Sequence, residues 1–337
     1  MAPSLPPQIQ LLQMATANWV SQSIYAAAKL GLADQLQAEP QSCDRLAELT
    51  HTHAPFLYRL LRALVSLGVF SQTSTGEFAL TPVGEFLRSD VPGSLRAMAV
   101  MQGEEHYHAW GDIVYSLQAG ENAFTHLYGM DIFTYLGQHP ASAQIFDQAM
   151  TSFSSIEIPA VMAAYDFSGL NTIVDVAGGH GSLLATILQA YPQSQGILFD
   201  QEAVIAGAKP QLTQAGVLDR CQLVGGSFFE TVPGGGDAYL LKHIVHDWGD
   251  ESAIAILKNC RQAMGNSGKV LVIEQVIPPG NGPATSKLLD LNMMVMCSGG
   301  KERTAAEYQI LFEQAGFHLN RIVSTPAEIS VLEGIPA

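Results

Sequence analysis

The chain has 337 residues, of which 47% are hydrophobic and 14% are charged, and its formal net charge is −15. This composition supports a large buried core and excludes a disordered chain, and the length is enough for two domains. The acidic charge argues against a nucleic-acid partner, no apolar run is long enough for a membrane helix, and the opening MAPSLPPQIQ lacks the pattern of a secretory signal.

The first hundred residues are predicted to be mostly helical. Apolar residues recur at helical spacing over residues 9–36, with a break expected at Gly31, and Ser42 is placed to cap the next helix. The amphipathic segment APFLYRLLRALVSLGVF then precedes a short hairpin that turns at residues 75–76. Three helices and a small β wing indicate a winged-helix domain over residues 1–100.

A winged helix raises the hypothesis of DNA binding. Residues 43–90 contain four Arg, no Lys and five acidic residues, and the helix in the recognition position carries only Arg59 and Arg62. The basic stripe of a DNA-binding face is therefore missing. Since these helices are apolar on more than one face, we interpret them as the surface of a homodimer.

Residues 101–167 are predicted to form a helical connector that could roof a pocket, and its aromatic residues Trp110 and Phe153 are candidates to line that pocket. From residue 171 strands and helices alternate, which is typical of a mainly parallel sheet covered by helices on both faces. Strands are predicted at residues 172–177, 196–200, 221–225, 238–242, 269–275, 318–323 and 328–333. Helices are predicted at residues 181–190, 202–215, 250–264 and 305–315.

The turn after the first of these strands is rich in glycine. It reads D-x-x-G-G-x-G, with Asp175, Gly178, Gly179 and Gly181. A dinucleotide fingerprint needs a further glycine where Leu184 stands, which disfavours an NAD dehydrogenase. Asp200 ends the second strand, where a carboxylate can accept hydrogen bonds from both hydroxyls of a ribose. The pair predicts a nucleoside-bearing cofactor and does not by itself separate NAD from S-adenosylmethionine.

The fourth strand runs out into a polar cluster in LKHIVHDWGDE. Ligands of doubly wound sheets bind at the carboxyl ends of the strands, so His246 is placed beside the reactive end of a cofactor bound at the first strand. Glu274 ends the neighbouring strand in KVLVIEQV. A carboxylate beside a histidine fixes its tautomer and stabilises its protonated form, which predicts a functional pair.

Together VDVAGGHGS, LKHIVHDWGDE, VLVIEQVIP and GGKERTAAEYQILFEQAGF resemble the S-adenosylmethionine-dependent O-methyltransferases. The branch is the plant-type family, which includes caffeate, flavonoid, acetylserotonin and bacterial polyketide methyltransferases. The resemblance covers nearly the whole chain. It implies an α/β fold, with a Rossmann-like methyltransferase domain and its mainly parallel seven-stranded sheet in residues 101–337, behind a winged-helix dimerisation domain in residues 1–100.

The resemblance also implies how the cofactor is held. The glycine turn matches the loop that packs against the methionine part of S-adenosylmethionine, and Asp200 matches the acid that holds the ribose. Phe228 matches an apolar position against the adenine, and Lys242 matches a lysine that contacts the cofactor.

The resemblance assigns the chemistry to three residues. His246 matches the general base, and Glu274 and Glu302 match two acids that flank and orient it. Asp247 and Asn292 match positions that touch the substrate in some members. Methionines near Glu302, Met296 among them, indicate an apolar acceptor pocket.

Two positions depart from the family pattern. Ala177 stands where the loop commonly has glycine, and an alanine is tolerated there if its φ is negative. Ser227 stands where the family usually has an acid that accepts a hydrogen bond from the adenine. A serine is shorter and neutral, so we expect a weaker contact with the cofactor.

These observations predict a metal-independent enzyme that transfers the methyl group of S-adenosylmethionine to a phenolic hydroxyl and releases S-adenosylhomocysteine. The alternative is a relative on the same fold that binds this cofactor and catalyses hydroxylation or decarboxylation. The four cysteines, Cys43, Cys221, Cys260 and Cys297, are scattered without a CxxC pair. They are interpreted as reduced thiols of a cytoplasmic protein.

Overall fold

The computed structural model describes residues 5–337, which form two compact units. The first unit contains the chain up to Tyr107 together with Pro140–Phe153, and the second contains His108–His139 together with Ser154–Ala337. The division at residue 100 stays a prediction.

The first unit is mostly helical. Its complete helices are α1 (Pro7–Ala15), α2 (Asn18–Lys29), α3 (Leu32–Gln35), α4 (Cys43–Thr50), α5 (Ala54–Ser66) and α6 (Arg96–Gly103). The expected break at Gly31 is confirmed, because that residue has a φ of +65°. A second break between α1 and α2 was not predicted. The Ser42 side chain accepts a hydrogen bond from the backbone N–H of Arg45 and caps α4 as expected.

A two-stranded hairpin completes this unit. Strands β1 (Phe70–Gln72) and β2 (Phe78–Leu80) pair antiparallel and form the predicted wing. The rings of Phe70 and Phe78 are buried in a core shared with α2, α4 and α5. On α1 and α2, by contrast, Leu11, Met14 and Trp19 are each about two-thirds exposed or more. No part of residues 5–337 covers these large apolar side chains.

The second unit is a sheet with helices. Its strands are β3 (Thr172–Val176), β4 (Gln195–Asp200), β5 (Cys221–Gly225), β6 (Ala238–Lys242), β7 (Lys269–Ile277), β8 (Arg303–Thr304), β9 (Phe317–Ser324) and β10 (Ile329–Pro336). Its helices include α8 (Ile113–Ala119), α9 (Ala123–Tyr128), α10 (Ile132–Gln138), α12 (Ser182–Ala190), α13 (Glu202–Gln214), α14 (Asp250–Ala263), α15 (Thr285–Met296) and α16 (Ala305–Gln314). Helices α7 (Glu105–Gly111) and α11 (Pro140–Ala164) contribute residues to both units.

The main path of the sheet has the order β5-β4-β3-β6-β7-β10-β9, in which β10 runs opposite to the other six strands. The expectation of a mainly parallel, seven-stranded sheet is confirmed, and the short β8 adds an eighth strand beside β7. Two apolar cores lie on the sheet, one with α12 and α13 and the other with α14 and α16. The carboxyl ends of β3, β4, β6 and β7 consequently meet at one edge.

The predicted strands and helices of this unit agree with the structure to within three residues at each end. Helix α15 and strand β8 were not assigned. Helix α15 alternates apolar and polar residues irregularly in TSKLLDLNMMVM, and a strand of two residues leaves no period to read.

Candidate active site

The glycine turn follows β3 and leads into α12. Gly179 and Gly181 have φ values of +59° and +82°, which favour glycine. A Cβ atom on Gly178 would lie 2.5 Å from Cγ of Asp175, so a side chain has no room at that position. The turn therefore exposes backbone where a ligand can approach closely.

Ala177 does not meet the condition under which an alanine is tolerated. Its φ is +55°, in the left-handed region. For a residue with a Cβ atom this conformation costs about 1–2 kcal/mol. The hydrogen bond from its N–H to the carbonyl of Phe199, at 2.7 Å, helps to hold the strained residue in place.

Two acids border this turn. Asp175 is 2% exposed, and its burial raises the pKa to about 7, although Lys242 lowers it. Its Oδ2 atom has no hydrogen-bond partner among residues 5–337. Asp200 accepts hydrogen bonds from the N–H groups of Gly179, at 2.8 Å, and Gln201, at 2.7 Å. A carboxylate has about four acceptor positions, so it can accept several hydrogen bonds at once.

The expected adenine side of the site is aromatic. The Phe228 ring lies edge-on to Trp248, with 5.9 Å between their centroids, and Phe133 of α10 stacks on Trp248 at 5.7 Å. The Ser227 hydroxyl accepts a hydrogen bond from the N–H of Phe229 at 3.3 Å, so it takes part in its own turn.

His246 lies in a short 3-10 turn, Val245–Asp247, directly after β6. Its Nδ1 atom lies 2.6 Å from Oε1 of Glu302, and both residues are buried. Burial lowers the pKa of the imidazole, but the charges of Asp247, Glu302 and Glu274 outweigh it, and the pKa is raised to about 10. The neighbouring carboxylates thus favour the protonated form of His246.

Glu274 contacts the turn and not the imidazole. Its Oε1 atom accepts hydrogen bonds from the backbone N–H groups of Ile244, Val245 and His246 at 2.6–3.1 Å. Its other oxygen accepts a hydrogen bond from the Tyr308 hydroxyl. Glu274 therefore fixes the backbone that carries His246, whereas Glu302 fixes the ring.

Two residues that the sequence analysis did not select, Arg303 and Asp290, bind the backbone of the segments that carry His246 and Glu302. The buried guanidinium of Arg303 donates to the carbonyls of Val245 and Trp248, and forms two hydrogen bonds with Oδ1 of Asp250. Asp290 of α15 accepts a hydrogen bond from the N–H of Glu302 at 2.9 Å. The motif GGKERT contains Arg303, and a buried arginine needs an anionic partner, so the sequence could have indicated this ion pair.

The residues expected to touch an acceptor molecule lie in different parts of the structure. Asp247 Oδ1 lies 3.6 Å from Nε2 of His246, on the side of the ring opposite Glu302. The indole N–H of Trp110 donates to Oδ1 of Asn292 at 2.8 Å, which brings these two predicted residues together. Met296 is fully buried on α15. Phe153 belongs to the first compact unit, whereas these residues belong to the second.

Lys242 has a partner that the sequence did not predict. Its Nζ atom lies 3.1 Å from Oε2 of Glu157, a carboxylate of α11 that is 2% exposed. The same carboxylate lies 2.9 Å from Nε2 of His243. The sequence cue is Glu157 itself, a single acid inside the apolar helical segment SSIEIPAVM.

Two protein-family models match most of the chain. The O-methyltransferase domain family matches residues 108–318, and the O-methyltransferase dimerisation domain family matches residues 12–90. The chain belongs to the O-methyltransferase family. The methyltransferase expected from the sequence is thereby confirmed, and so is its fold class.

Curated relatives of this methyltransferase act on small aromatic compounds. It is 45% identical over 335 residues to the phenazine O-methyltransferase PhzM of Lysobacter antibioticus, covering 99% of this chain and 98% of that one. It is 40% identical to the 3-amino-4-hydroxybenzoate 4-O-methyltransferase of Streptomyces cremeus, covering 96% and 88%. A relative in Pseudomonas aeruginosa, 35% identical with coverages of 96% and 95%, is a phenazine-1-carboxylate N-methyltransferase.

Solved structures agree. The crystal structure of LaPhzM matches the methyltransferase with a TM-score of 0.96 at 45% identity, covering 99% of this chain and 100% of that chain. The O-methyltransferase NcsB1 from neocarzinostatin biosynthesis matches with a TM-score of 0.81 at 33% identity, covering 94% of this chain and 96% of that chain. Its structure contains S-adenosylmethionine and 2-hydroxy-5-methyl naphthoic acid.

The site fits S-adenosylmethionine, the cofactor of this family. The tight cradle at Gly178 lets backbone approach a ligand, and the orphaned Oδ2 atom of Asp175 marks a buried acceptor beside it. A carboxylate such as Asp200 at the end of β4 suits ribose hydroxyls, because it accepts several hydrogen bonds. Two carboxylates next to one turn favour a ligand that carries positive charge.

The thiols, the possible metal ligands and the helix lengths of the chain were also addressed by the predictions above. The four cysteines are free thiols. Within residues 5–337, no group of three or more His, Cys, Asp or Glu side chains is arranged to hold a metal ion. Of the helices in the described part of the chain, none is both long enough and apolar enough to cross a membrane.

Proposed function

We propose that this methyltransferase transfers a methyl group from S-adenosylmethionine to a hydroxyl group of a small aromatic acceptor, with His246 as general base and without a metal ion. The observation that carries the proposal is the buried contact of 2.6 Å between His246 Nδ1 and Glu302. It orients the ring so that Nε2 is left to accept a proton.

His246 can serve as base only in its neutral form. S-adenosylmethionine supplies an electrophilic methyl group on a sulfonium cation, whose positive charge opposes protonation of a neighbouring imidazole. A phenol, with a pKa near 10, needs its proton removed as its oxygen attacks. Glu302 and Asp247 then stabilise the imidazolium that forms. Positioning supplies further acceleration, because the oxygen must approach in line with the bond that breaks.

The cofactor side of the site is proposed to consist of Asp175, the glycine turn, Asp200, Phe228 and Lys242. Ser227 is retained as an adenine contact in this proposal. Its hydroxyl already accepts one hydrogen bond, which supports a weaker contact than a carboxylate would make.

The acceptor side is proposed to include Asp247, Asn292, Met296 and Trp110, whereas Phe153 stays a prediction from the sequence. The Trp110 indole fixes the Asn292 amide, because an indole N–H only donates and so selects the amide oxygen. The amide nitrogen is then oriented as a donor. Flat aromatic acceptors are supported by the relatives named above, which act on a phenazine and an aminohydroxybenzoate.

We also propose a cytoplasmic homodimer that forms through the first unit. The matched dimerisation family supports this assembly, as do the exposed side chains of Leu11, Met14 and Trp19. Four free thiols suit a reducing compartment.

The test uses methyl-labelled S-adenosylmethionine and a panel of hydroxyphenazines, naphthols, catechols, aminophenols and aromatic amines, with wild type and His246→Ala in parallel. Label should appear on a hydroxyl with wild type and be largely lost in the variant, and EDTA should not change the rate. If His246→Ala is as active as wild type, His246 is not the general base. If EDTA greatly lowers the rate of methyl transfer, the enzyme is not metal-independent. Label on nitrogen alone would place the enzyme with the N-methyltransferases.

A further inference from the structure

Glu157 is a buried charge that the mechanism above does not use. Its carboxylate accepts hydrogen bonds from Lys242 Nζ at 3.1 Å and from His243 Nε2 at 2.9 Å and 3.0 Å. The three side chains are nearly buried, with exposed fractions of 3% for Glu157 and 11% for each partner. One acid of α11 thus holds two neighbouring residues at the carboxyl end of β6.

The protonation states of this cluster follow from its contacts. Burial raises the pKa of Glu157, but His243 and Lys242 outweigh it and the net shift is downward, so the carboxylate is ionised. Burial lowers the pKa of His243, and Lys242 lowers it further, so this imidazole is neutral. A carboxylate only accepts, which puts the hydrogen of His243 on Nε2. The cluster therefore contains one negative and one positive charge.

The cluster of Glu157, Lys242 and His243 lies between the cofactor turn and the proposed base His246. Asp175 of β3 pairs with Leu240 of β6, two residues before Lys242, so Lys242 ends its strand at the same edge as the cofactor turn. Its positive charge lowers the pKa of Asp175. On the other side, the His243 ring lies 5.0 Å from the ring of His246, centroid to centroid. His243 has a φ of +55°, a strained value for a residue with a side chain, and its contact with Glu157 helps to hold it there.

The charge of Lys242 is unfavourable for a cationic ligand unless it is compensated. S-adenosylmethionine carries one more positive charge than its product S-adenosylhomocysteine, because the sulfonium becomes a neutral thioether when the methyl group leaves. Any negative charge beside the site therefore favours the cofactor over the product. Glu157 is the group that neutralises Lys242 in the structure.

We infer that Glu157 is a specificity-determining residue that compensates Lys242 and thereby favours binding of the cationic cofactor over its neutral product. This inference rests on the proposed function, since it requires S-adenosylmethionine to bind beside Lys242. It gives the enzyme a means to release S-adenosylhomocysteine after each transfer. The role is electrostatic, so it depends on the charge at position 157 more than on the length of the side chain.

The experiment is calorimetric titration of the full-length protein with S-adenosylmethionine and with S-adenosylhomocysteine, and the measured quantity is the ratio of the two dissociation constants. In Glu157→Gln the preference for S-adenosylmethionine should fall on the order of tenfold relative to wild type, as expected for one uncompensated charge in a partly buried site. Glu157→Asp keeps the charge, so both affinities should fall together and the ratio should stay near that of wild type.

Two further variants separate charge from structural damage. The double variant Glu157→Gln with Lys242→Met removes both charges, so its ratio should return toward that of wild type even where each affinity is lower. Replacing both partners of a buried ion pair is often tolerated, so this protein should fold even if Glu157→Gln does not. Glu333→Gln is the matched control, because Glu333 is equally buried, also binds a lysine and lies at the opposite end of the strands.

The inference is overturned if Glu157→Gln keeps the wild-type ratio, or if Glu333→Gln changes the ratio as much. It is also overturned if Glu157→Asp loses the preference as completely as Glu157→Gln, since the charge would then not be the cause. A wild-type protein that binds neither compound would instead refute the proposed function. The experiment separates failure of this inference from failure of the proposed function, because an unchanged affinity ratio and a complete lack of binding are different results.

Discussion

Glu302→Gln tests the contact on which the proposed mechanism depends. The substitution keeps the size of the side chain and removes its charge, 2.6 Å from Nδ1 of His246. A hydrogen bond to a charged group contributes about 1.5–3 kcal/mol. At about 1.4 kcal/mol per pKa unit, its loss should lower the pKa of His246 by roughly one to two units from its value of about 10.

Activity should change in two ways. The variant should lose on the order of 10- to 100-fold in kcat, because a neutral amide stabilises the imidazolium less well. The alkaline rise of kcat/KM, which reports groups of the free enzyme, should move to lower pH because the imidazole loses its proton more easily. Glu307→Gln is the control, since Glu307 belongs to the same segment and glutamine preserves its capping box.

Stability should follow the same titration. The pKa of His246 is about 10 in the folded protein and its ordinary value is 6.5, so folding binds this proton more tightly. Protonated His246 therefore stabilises the folded protein fully below pH 6.5, and this contribution is lost as the pH rises through 10. Chemical denaturation across this window and an NMR titration of the imidazole provide the measurements. An imidazole pKa that is the same in Glu302→Gln and wild type would refute the reasoning.

Three other substitutions test the scaffold. Ala177→Gly should raise the free energy of unfolding by about 1 kcal/mol by relieving the positive φ, and an unchanged denaturation midpoint would contradict the strain. Arg303→Lys should lower the free energy of unfolding by about 2 kcal/mol and reduce kcat, because lysine cannot bind the carbonyls of Val245 and Trp248 together as the guanidinium does. A variant with unchanged activity and stability would show that Arg303 does not position these residues. The pKa of Glu333 is lowered to about 2, so its stabilisation is present above pH 4.5 and is lost as the pH falls through 2. Acid denaturation of Glu333→Gln should therefore be shallower than that of wild type in this range, and identical curves would argue against the assignment.

The sequence predicted the sheet well because its parallel strands are short, mainly apolar segments that are followed by turn residues. VDVAGG and GILFDQ each show where a strand stops and which acid stands at its end. The strand order places those ends at one edge, so Asp175, Asp200 and His246 could be assigned to one site from the pattern alone. The motif HDW with GGKERT then supplied the chemistry through family resemblance.

Other features depend on three-dimensional contacts. The φ of Ala177 follows from how the turn closes over β4, and a single alanine carries no sign of it. Glu274 was expected beside the imidazole, whereas its oxygens reach backbone N–H groups and Tyr308, a distinction of a few ångströms.

The sequence by itself determined the fold and the family, because these depend on local periodicity and on motifs whose residues lie close together in the chain; His246 as the base stays a proposal. Only the tertiary structure decided how the charges are paired. Glu157 lies 85 residues from Lys242 in sequence and 3.1 Å from it in space, and Glu302 meets His246 across 56 residues. Such pairs form where α11, β6 and the loop before β8 come together, and no local pattern encodes that meeting point.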